Sequence, residues 1–184
     1  MRYDIRSGIC RIAKSMHDAG LIAGRAGNLS ARIGDTILIT PRGARKDTLH
    51  PSDLVAVRLD SDETPARAST ELPLHRAAYA ASPDVKAVLH AHAPALIAAG
   101  LRGLDLTARL PELTEAVGPF AAVEFAPSGS EELGRAVGAA VAGGAVIVLL
   151  YGHGVVAVGS DLDEAYDRLE LAETSAYAML LAGM

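Results

Sequence analysis

The spacing of hydrophobic residues along the chain predicts four helices. Apolar residues between positions 5 and 21 recur every three or four positions, which is the period of a helix with one buried face, and Gly20 is expected to end it. A second helix is predicted to begin at Ser69 or Thr70, because either hydroxyl can cap a helix N-terminus. The predicted helices cover residues 5–20, 69–81, 130–141 and 161–181.

Short apolar segments bounded by turn residues predict strands. Gly34 and Asp35 form a tight turn, so the segments on either side of them are expected to pair as a hairpin. A continuous apolar run bounded by glycine, such as Ala145 to Leu150, is typical of a central strand. The predicted strands cover residues 28–33, 36–40, 54–59, 85–93, 145–150 and 155–158. Strands interleaved with helices indicate one α/β layered domain over residues 1–184.

The composition argues against several classes of partner. Seventeen Lys and Arg against 22 Asp and Glu give a net charge of -5, whereas proteins that bind nucleic acid through its backbone carry a basic excess. The longest purely apolar run is far shorter than the roughly 20 residues that span a bilayer, so no membrane insertion is expected. Cys10 is the single cysteine, and the first residues lack the apolar stretch of a signal peptide. We therefore expect a cytoplasmic protein.

Three histidines are candidate metal ligands. His90 and His92 lie two positions apart in a predicted strand, where alternate side chains share a face, so both imidazoles can bind one ion. His153 lies between two glycines after an apolar strand, and three neutral imidazoles with one oxygen ligand are typical of catalytic zinc. Zn²⁺ is favoured, with Mn²⁺, Co²⁺ or Fe²⁺ as alternatives. His90 and His92 alternatively form only hydrogen bonds at a polar edge.

Glu71 is the candidate fourth group of this site. A carboxylate near a dication can act as a ligand or carry a proton. Its alternative role is to complement the helix dipole in the first helical turn. His75, one turn later, is interpreted as a helix-surface partner of Glu71 rather than as a ligand. His17 and His50 have no chelating neighbours in the sequence and are expected to be solvated.

A second set of residues is expected to bind an anion. Asn28, Arg42 and Gly43 lie in predicted turns, and Ser69 and Thr70 lie at a predicted helix N-terminus. Together they offer amide, guanidinium, hydroxyl and backbone N–H donors. Each residue also has an ordinary alternative role in a turn or a helix cap.

Arg42, Arg45 and Lys46 form a local basic cluster in an otherwise acidic chain. Such a cluster can attract a phosphorylated or carboxylated substrate. A solvated loop is the alternative interpretation.

Five motifs resemble, in order and spacing, those of the class II aldolase/adducin family. They are Gly27-Asn28-Leu29-Ser30, Ile39-Thr40-Pro41-Arg42-Gly43, Ser69-Thr70-Glu71, Leu89-His90-Ala91-His92 and Gly152-His153-Gly154. The resemblance extends from the first helix to Leu180. It implies a three-layer α/β/α sandwich with a mostly antiparallel central sheet, assembled as a homotetramer with the active site near subunit contacts.

The resemblance also implies roles for individual residues. The metal ligands that it implies for zinc are His90, His92, His153 and Glu71. The phosphate site that it implies comprises Asn28, Gly43, Ser69 and Thr70. Glu71 is further implied to act as the catalytic acid/base once substrate displaces it from the metal.

Two features depart from the aldolases of this family. Arg42 stands where they have a small hydroxyl residue, so we expect a different or differently placed anion. Those enzymes also use a tyrosine, between the paired histidines and the last one, to assist the leaving aldehyde oxygen. No tyrosine occurs between His92 and Leu150. Glu112 or Glu115 is the candidate substitute.

Three functions are compatible with these residues. The first is retro-aldol cleavage of a short ketose 1-phosphate to dihydroxyacetone phosphate and an aldehyde, in which a metal stabilises the developing negative charge. The second is decarboxylation of a keto or hydroxy acid, or dehydration of a sugar phosphate, and Arg42 favours it. The third is a non-enzymatic assembly module as in the adducin branch, and the intact metal ligands weigh against it. Either enzyme would take a small anionic sugar or hydroxy acid.

Overall fold

A computed structural model describes residues 4–106 and 110–183. The elements are α1 (Ile5–Asp18), β1 (Asn28–Ile33), β2 (Thr36–Ile39), β3 (Val55–Arg58), α2 (Leu72–Ala81), β4 (Ala87–Ala91), α3 (Pro94–Leu101), α4 (Pro111–Val117), β5 (Phe120–Val123), α5 (Glu131–Ala142), β6 (Ile147–Leu150), β7 (Gly154–Gly159) and α6 (Leu162–Leu181). The strands form one sheet in the order β3-β2-β1-β4-β7-β6-β5. Among the described helices, none combines the length and the hydropathy needed to cross a bilayer.

The sheet is mostly antiparallel, as the resemblance implied. β5 and β6 are the one parallel pair within the described ranges, and α5 provides the crossover that a parallel pair requires. The other neighbouring strands pair antiparallel. β1 and β2 form the predicted hairpin, in which Gly34 adopts the positive φ that a tight turn needs.

Helices cover both faces of the sheet. On one face, α1, α3 and α6 pack on strand residues that include Leu29, Leu89 and Ala157. On the opposite face, α2 and α5 pack on alternate residues that include Val88 and Val156. Because successive side chains of a strand point to opposite faces, each central strand contributes to both cores. The predicted three-layer α/β/α sandwich is confirmed.

Three elements between residues 94 and 123 were not predicted. Every residue of α3 is apolar, proline or glycine, so the segment has no polar face from which a helical period could be detected. β5 is a four-residue strand at the sheet edge whose residues are mostly half-buried, and it is too short for an alternating pattern. α4 is a short helix of seven residues that lies between these two elements in the chain.

Most predicted strand boundaries differ from the structure by one or two residues, and two of the boundaries that differ bear on the site. α2 begins at Leu72 rather than at Ser69 or Thr70, and its N-cap residue is Glu71. The Ser69 hydroxyl accepts a hydrogen bond from the Glu71 amide at 3.2 Å, which closes a turn before the helix instead of capping it. β4 ends at Ala91, so His92 lies just beyond the strand.

Candidate active site

Three imidazoles converge at one end of the central strands. His90 lies in β4, His92 follows that strand, and His153 lies in the turn between β6 and β7. The centroids of their rings are 5.0, 4.8 and 5.1 Å apart. One nitrogen from each ring can be chosen so that all three lie within 4.8 Å of one another. Residues distant in the sequence therefore form one group that can hold a metal ion.

The His90 ring is held in one tautomer. It is fully buried, and its Nδ1 donates a hydrogen bond to the carbonyl oxygen of Val155 at 3.1 Å. Its Nε2 therefore carries a lone pair, and this atom lies 3.2 Å from Nε2 of His92. A backbone carbonyl that orients the second ring nitrogen is the usual support of a metal-binding histidine. Burial lowers the pKa of both His90 and His92, which favours the neutral form that binds metals.

Gly154 lets the histidine rings lie this close to the paired strands. A Cβ at Gly154 would overlap the carbonyl oxygen of Ala91 and would lie 3.2 Å from ring atoms of both His90 and His92. β4 and β7 are paired at this point, with Ala91 opposite Val155. Any side chain at Gly154 would therefore displace either the strand or the rings.

Glu71 lies in the wall of the same site. Its side chain is buried, and its Oε1 accepts a hydrogen bond from the hydroxyl of Ser128. Its Oε2 is buried and has no hydrogen-bond partner within the described part of the chain. Glu71 stands outside the group of nitrogens that lie within 4.8 Å of one another. The carboxylate thus has one oxygen fixed and one oxygen without a partner.

Ser128 was not predicted from the sequence. It lies in the segment between β5 and α5, where proline, glycine and serine indicate only a turn. Its proximity to Glu71 depends on the packing of α5 beside α2, which local sequence does not reveal.

A cavity of about 170 Å³ joins these groups to the predicted anion site. The residues predicted as metal, catalytic or anion-binding groups all line it: Asn28, Arg42, Gly43, Ser69, Thr70, Glu71, His90, His92 and His153. Arg25 and Lys46 also line it, and Glu71 is the one carboxylate in this lining. Three cationic side chains against one carboxylate favour an anionic ligand.

Lys46 does not belong to a solvated loop. Its side chain is 2% exposed, and its ammonium group donates hydrogen bonds to the carbonyl oxygens of Arg25 and Ala44, each at 2.8 Å. Burial lowers the pKa of Lys46 to about 8, with a smaller contribution from the charge of Arg25. Arg45 is exposed and forms an ion pair with Asp47 at 2.6 Å. The predicted basic cluster is therefore divided between the cavity and the surface.

The interpretation of His75 as a surface partner of Glu71 is wrong. His75 is fully buried between α2 and β1, and its ring nitrogens lie 2.7 Å from Ser30 Oγ and 2.5 Å from Asn28 Oδ1. Burial lowers the pKa of His75 to about 3. The helical period placed His75 and Glu71 on one face, but it did not show that this face packs against the sheet.

The remaining candidates lie away from the cavity. His17 is partly exposed near the end of α1, and His50 is exposed and caps a single 3₁₀ turn. Glu115 is exposed on α4 and does not line the cavity. The side chain of Glu112 lies outside the described part of the chain.

The sheet, its helical layers and the histidine group agree with a known family of lyases. The family model for the Class II Aldolase and Adducin N-terminal domain matches residues 7–180, and the chain belongs to this family. The protein is accordingly an enzyme of the metal-dependent lyase class, and the non-enzymatic alternative is not needed to account for it.

Individual relatives differ in the activity that their names carry. An L-fuculose phosphate aldolase of Methanococcus maripaludis is 31% identical over 163 residues, which are 89% of each chain. A 5-methylthioribulose-1-phosphate/5-deoxyribulose-1-phosphate aldolase of Rhodospirillum rubrum is 34% identical over 89% of this chain and 75% of its own. A 3-oxo-tetronate 4-phosphate decarboxylase of Haemophilus influenzae is 30% identical over 94% of this chain and 86% of its own.

A solved structure supports the same assignment. The crystal structure of L-fuculose-1-phosphate aldolase from Thermus thermophilus matches with a TM-score of 0.86 and 30% identity. The match covers 98% of this chain and 95% of that one. The predicted resemblance to the class II aldolase/adducin family is confirmed.

The residues present fit a divalent metal ion. His90 offers a lone pair on Nε2, and the three rings are close enough to share one ion. The buried Oε2 of Glu71, which lacks a hydrogen-bond partner in the described chain, is the kind of polar atom that an ion or a substrate satisfies. Three imidazoles with a carboxylate nearby favour a transition metal over Mg²⁺ or Ca²⁺.

Proposed function

We propose that the protein cleaves a short ketose 1-phosphate, of the L-fuculose 1-phosphate type, to dihydroxyacetone phosphate and an aldehyde. The observation that carries this proposal is one cavity that combines three converging imidazoles, the partnerless Oε2 of Glu71 and a cationic wall. A retro-aldol reaction needs these three parts, since it develops charge at a carbonyl, moves a proton and holds a phosphate.

His90, His92 and His153 would hold the ion, which we propose to be Zn²⁺, with Glu71 as the fourth ligand before substrate binds. When bound, the ion supplies Lewis-acid stabilisation of negative charge on the substrate oxygen. As the carbon–carbon bond breaks, Glu71 would take the proton of the substrate hydroxyl whose oxygen becomes that of the aldehyde, and it would then deliver this proton to the carbon next to the carbonyl. Ser128, by holding Oε1, leaves Oε2 to take part in this transfer.

The far end of the cavity would bind the phosphate. Asn28 and Thr70 offer side-chain donors, Gly43 offers a backbone N–H, and the cations of the lining favour a doubly charged group. The Ser69 hydroxyl already accepts a hydrogen bond from the Glu71 amide, so its own proton is available for an anion.

Decarboxylation of a phosphorylated hydroxy or keto acid is the second candidate. Arg42 favours it, because its exposed guanidinium lines the cavity without a hydrogen-bond or ion-pair partner among the described residues. A carboxylate is a natural partner for such a group. The relative named as a 3-oxo-tetronate 4-phosphate decarboxylase supports this alternative.

A product screen distinguishes the two reactions. The zinc-loaded protein is incubated with a panel of ketose 1-phosphates and phosphorylated keto acids, and both dihydroxyacetone phosphate and CO₂ are measured. We expect dihydroxyacetone phosphate from a ketose 1-phosphate. Release of CO₂ alone would favour decarboxylation, and absence of both products would contradict the proposal.

A ligand variant provides the control for this screen. His92→Ala removes one imidazole from the group, so we expect bound zinc and turnover to be lost together. Metal content is measured by elemental analysis and the fold by circular dichroism. Full metal content with full activity in His92→Ala would contradict the ligand assignment.

We further propose that the chain works as one domain in a cytoplasmic homotetramer. The resemblance supports the tetramer, and the single cysteine supports a reducing compartment.

A further inference from the structure

A chain of buried polar groups lies behind Asn28. Tyr79 and His75 on α2 and Ser30 on β1 are each no more than 2% exposed, and the proposed reaction uses none of them. Tyr79 OH lies 2.8 Å from Ser30 Oγ, and Ser30 Oγ lies 2.7 Å from His75 Nδ1. His75 Nε2 lies 2.5 Å from Asn28 Oδ1. The four side chains thus form one continuous hydrogen-bonded path that ends at the cavity.

The direction of each hydrogen bond follows from the Tyr79 end of the path. The backbone of Val88 forms a hydrogen bond to the Tyr79 oxygen that lowers the pKa of the phenol, as an N–H donor does, so the phenol proton is left to donate to Ser30. Asn28 Oδ1 can only accept, so His75 Nε2 is the donor. The buried imidazole is neutral, with its pKa lowered to about 3, so Nδ1 has no proton and accepts from the Ser30 hydroxyl. Ser30 then accepts from the Tyr79 hydroxyl. Each hydroxyl or ring proton of the path therefore has one acceptor.

We propose that His75, Ser30 and Tyr79 are positioning residues that fix the side-chain amide of Asn28 with its amino group toward the cavity. Asn28 lines the cavity, and its Nδ2 has no partner among the described residues. Held in this way, Nδ2 donates to the anionic end of the substrate. The inference rests on the proposed function only in naming that end as a phosphate.

The physical need for this path comes from the symmetry of an amide group. A half turn of the Asn28 amide would exchange Oδ1 and Nδ2, which have nearly the same shape. The oxygen would then face the anion and repel it. Val88 donates to the Tyr79 oxygen, so the hydroxyl protons of Tyr79 and Ser30 point toward His75 and leave the imidazole proton on Nε2. In the flipped state this N–H would face the Nδ2 donors of Asn28, and the path disfavours that state because two buried donors would then oppose each other.

The first test measures anion binding without turnover. Inorganic phosphate is titrated into the zinc-loaded wild type, His75→Gln and His75→Leu by calorimetry. Glutamine places an N–H donor near the position of Nε2, whereas leucine removes it. We expect His75→Gln to bind phosphate within a few-fold of wild type and His75→Leu to bind it about tenfold more weakly, since tenfold corresponds to about 1.4 kcal/mol.

Zinc content and the melting temperature of each variant separate positioning from a loss of fold. Weaker phosphate binding in His75→Leu at unchanged zinc content supports the proposal. Equal phosphate affinity in His75→Leu and wild type would overturn it, and so would a wild type that does not bind phosphate. Because no product is measured, a protein that binds phosphate but releases no dihydroxyacetone phosphate contradicts the proposed function and not this inference.

The second test reads the protonation of the His75 ring in the wild type. Nitrogen-15 NMR of histidine-labelled wild type reports which ring nitrogen of His75 carries the proton, and His75→Gln assigns the signal by its absence. We expect a proton on Nε2, none on Nδ1, and no titration between about pH 5 and about pH 9. A proton on Nδ1 would mean that Asn28 presents its oxygen to the cavity, and the proposal would then be abandoned.

Discussion

The two oxygens of Glu71 have different surroundings, and this difference defines its chemistry. Ser128 donates to Oε1, whereas Oε2 is buried with no partner among the described residues. A hydrogen bond to a carboxylate contributes roughly 1.5 to 3 kcal/mol and fixes the plane of the group. The serine therefore determines the direction in which the other oxygen faces.

Removal of the Ser128 hydroxyl should affect turnover more than substrate binding. In Ser128→Ala, Glu71 can rotate, so we expect kcat to fall about tenfold while KM changes less, since about 1.4 kcal/mol corresponds to tenfold. Steady-state kinetics with the substrate found in the product screen measures both.

Ser130→Ala is the matched control for that experiment. Ser130 caps α5 by accepting from the Leu133 amide, so its loss should lower the free energy of unfolding by about 1 kcal/mol and leave kcat unchanged. Equal kinetic effects of the two substitutions would show that Ser128 only supports the helix.

Lys46 should make stability depend on pH above neutrality. Its pKa is about 8 in the folded chain and about 10.4 when unfolded, so between these values the unfolded chain binds more protons. The contribution of Lys46 to the free energy of unfolding therefore increases as pH rises through this window. Urea unfolding at about pH 7.5 and about pH 9.5 should show a gain on the order of 1 kcal/mol in wild type relative to Lys46→Met.

Lys86→Met serves as the control for Lys46, because Lys86 is exposed and its ammonium group donates to the carbonyl oxygen of the nearby Pro83. Its unfolding should follow the pH dependence of wild type. If Lys46→Met also followed it, the buried ammonium would not be the source of the effect.

At the scale of elements, the β4–β7 pair carries the metal group. A methyl group at Gly154 would overlap the Ala91 carbonyl and crowd the rings of His90 and His92. We expect Gly154→Ala to lose bound zinc and to lower the free energy of unfolding by about 1 to 3 kcal/mol, as overpacked sites do. Zinc analysis and urea unfolding of the purified variant measure these effects.

Gly34→Ala separates crowding from backbone strain. Gly34 has a positive φ, yet a Cβ there would meet nothing within 4 Å. The Gly34→Ala variant should therefore have a free energy of unfolding about 1 kcal/mol lower than wild type and should keep its zinc. Zinc retained in both variants would contradict the role assigned to Gly154.

The elements that the sequence predicted are those whose side chains repeat with a period. α1 has a buried stripe of isoleucine, alanine and methionine, and the Gly34-Asp35 turn marks the hairpin. α3 and β5 were missed because a segment that is apolar throughout, or only four residues long, has no period to detect. The site residues were predicted from their residue types and their positions in predicted elements, the family resemblance implied the same residues, and the cavity brings all nine together.

Burial of polar residues could not be predicted in the same way. Lysine is rarely buried and histidine is of intermediate burial, so residue type alone does not place Lys46 and His75 in the interior. Both are buried, and a part of the chain distant in sequence supplies hydrogen-bond partners to each. For His75 these partners are on β1, and for Lys46 one is the Arg25 carbonyl. Such pairings depend on how segments distant in the sequence pack together, which no local pattern encodes.

At the scale of the whole molecule, we expect four copies of this chain to assemble. Phe125, Tyr151 and Tyr177 are large side chains that are 50% or more exposed in the single chain. Light scattering coupled to size exclusion should give about four times the 19.0 kDa of one chain. A mass of one chain at micromolar concentration would contradict the assembly that the resemblance implies.

The two faces of the sheet have separate tasks. The face covered by α2 and α5 carries the polar groups of the site, namely His75, Glu71 and the side chains of Asn28, Ser30 and His90. The face covered by α1, α3 and α6 carries mainly apolar side chains that pack in the core. Mutations that alter substrate preference can therefore accumulate on one layer while the other preserves the scaffold. This separation gives the chain an evolutionary freedom that suits a family whose members are named for different sugar phosphates and acids.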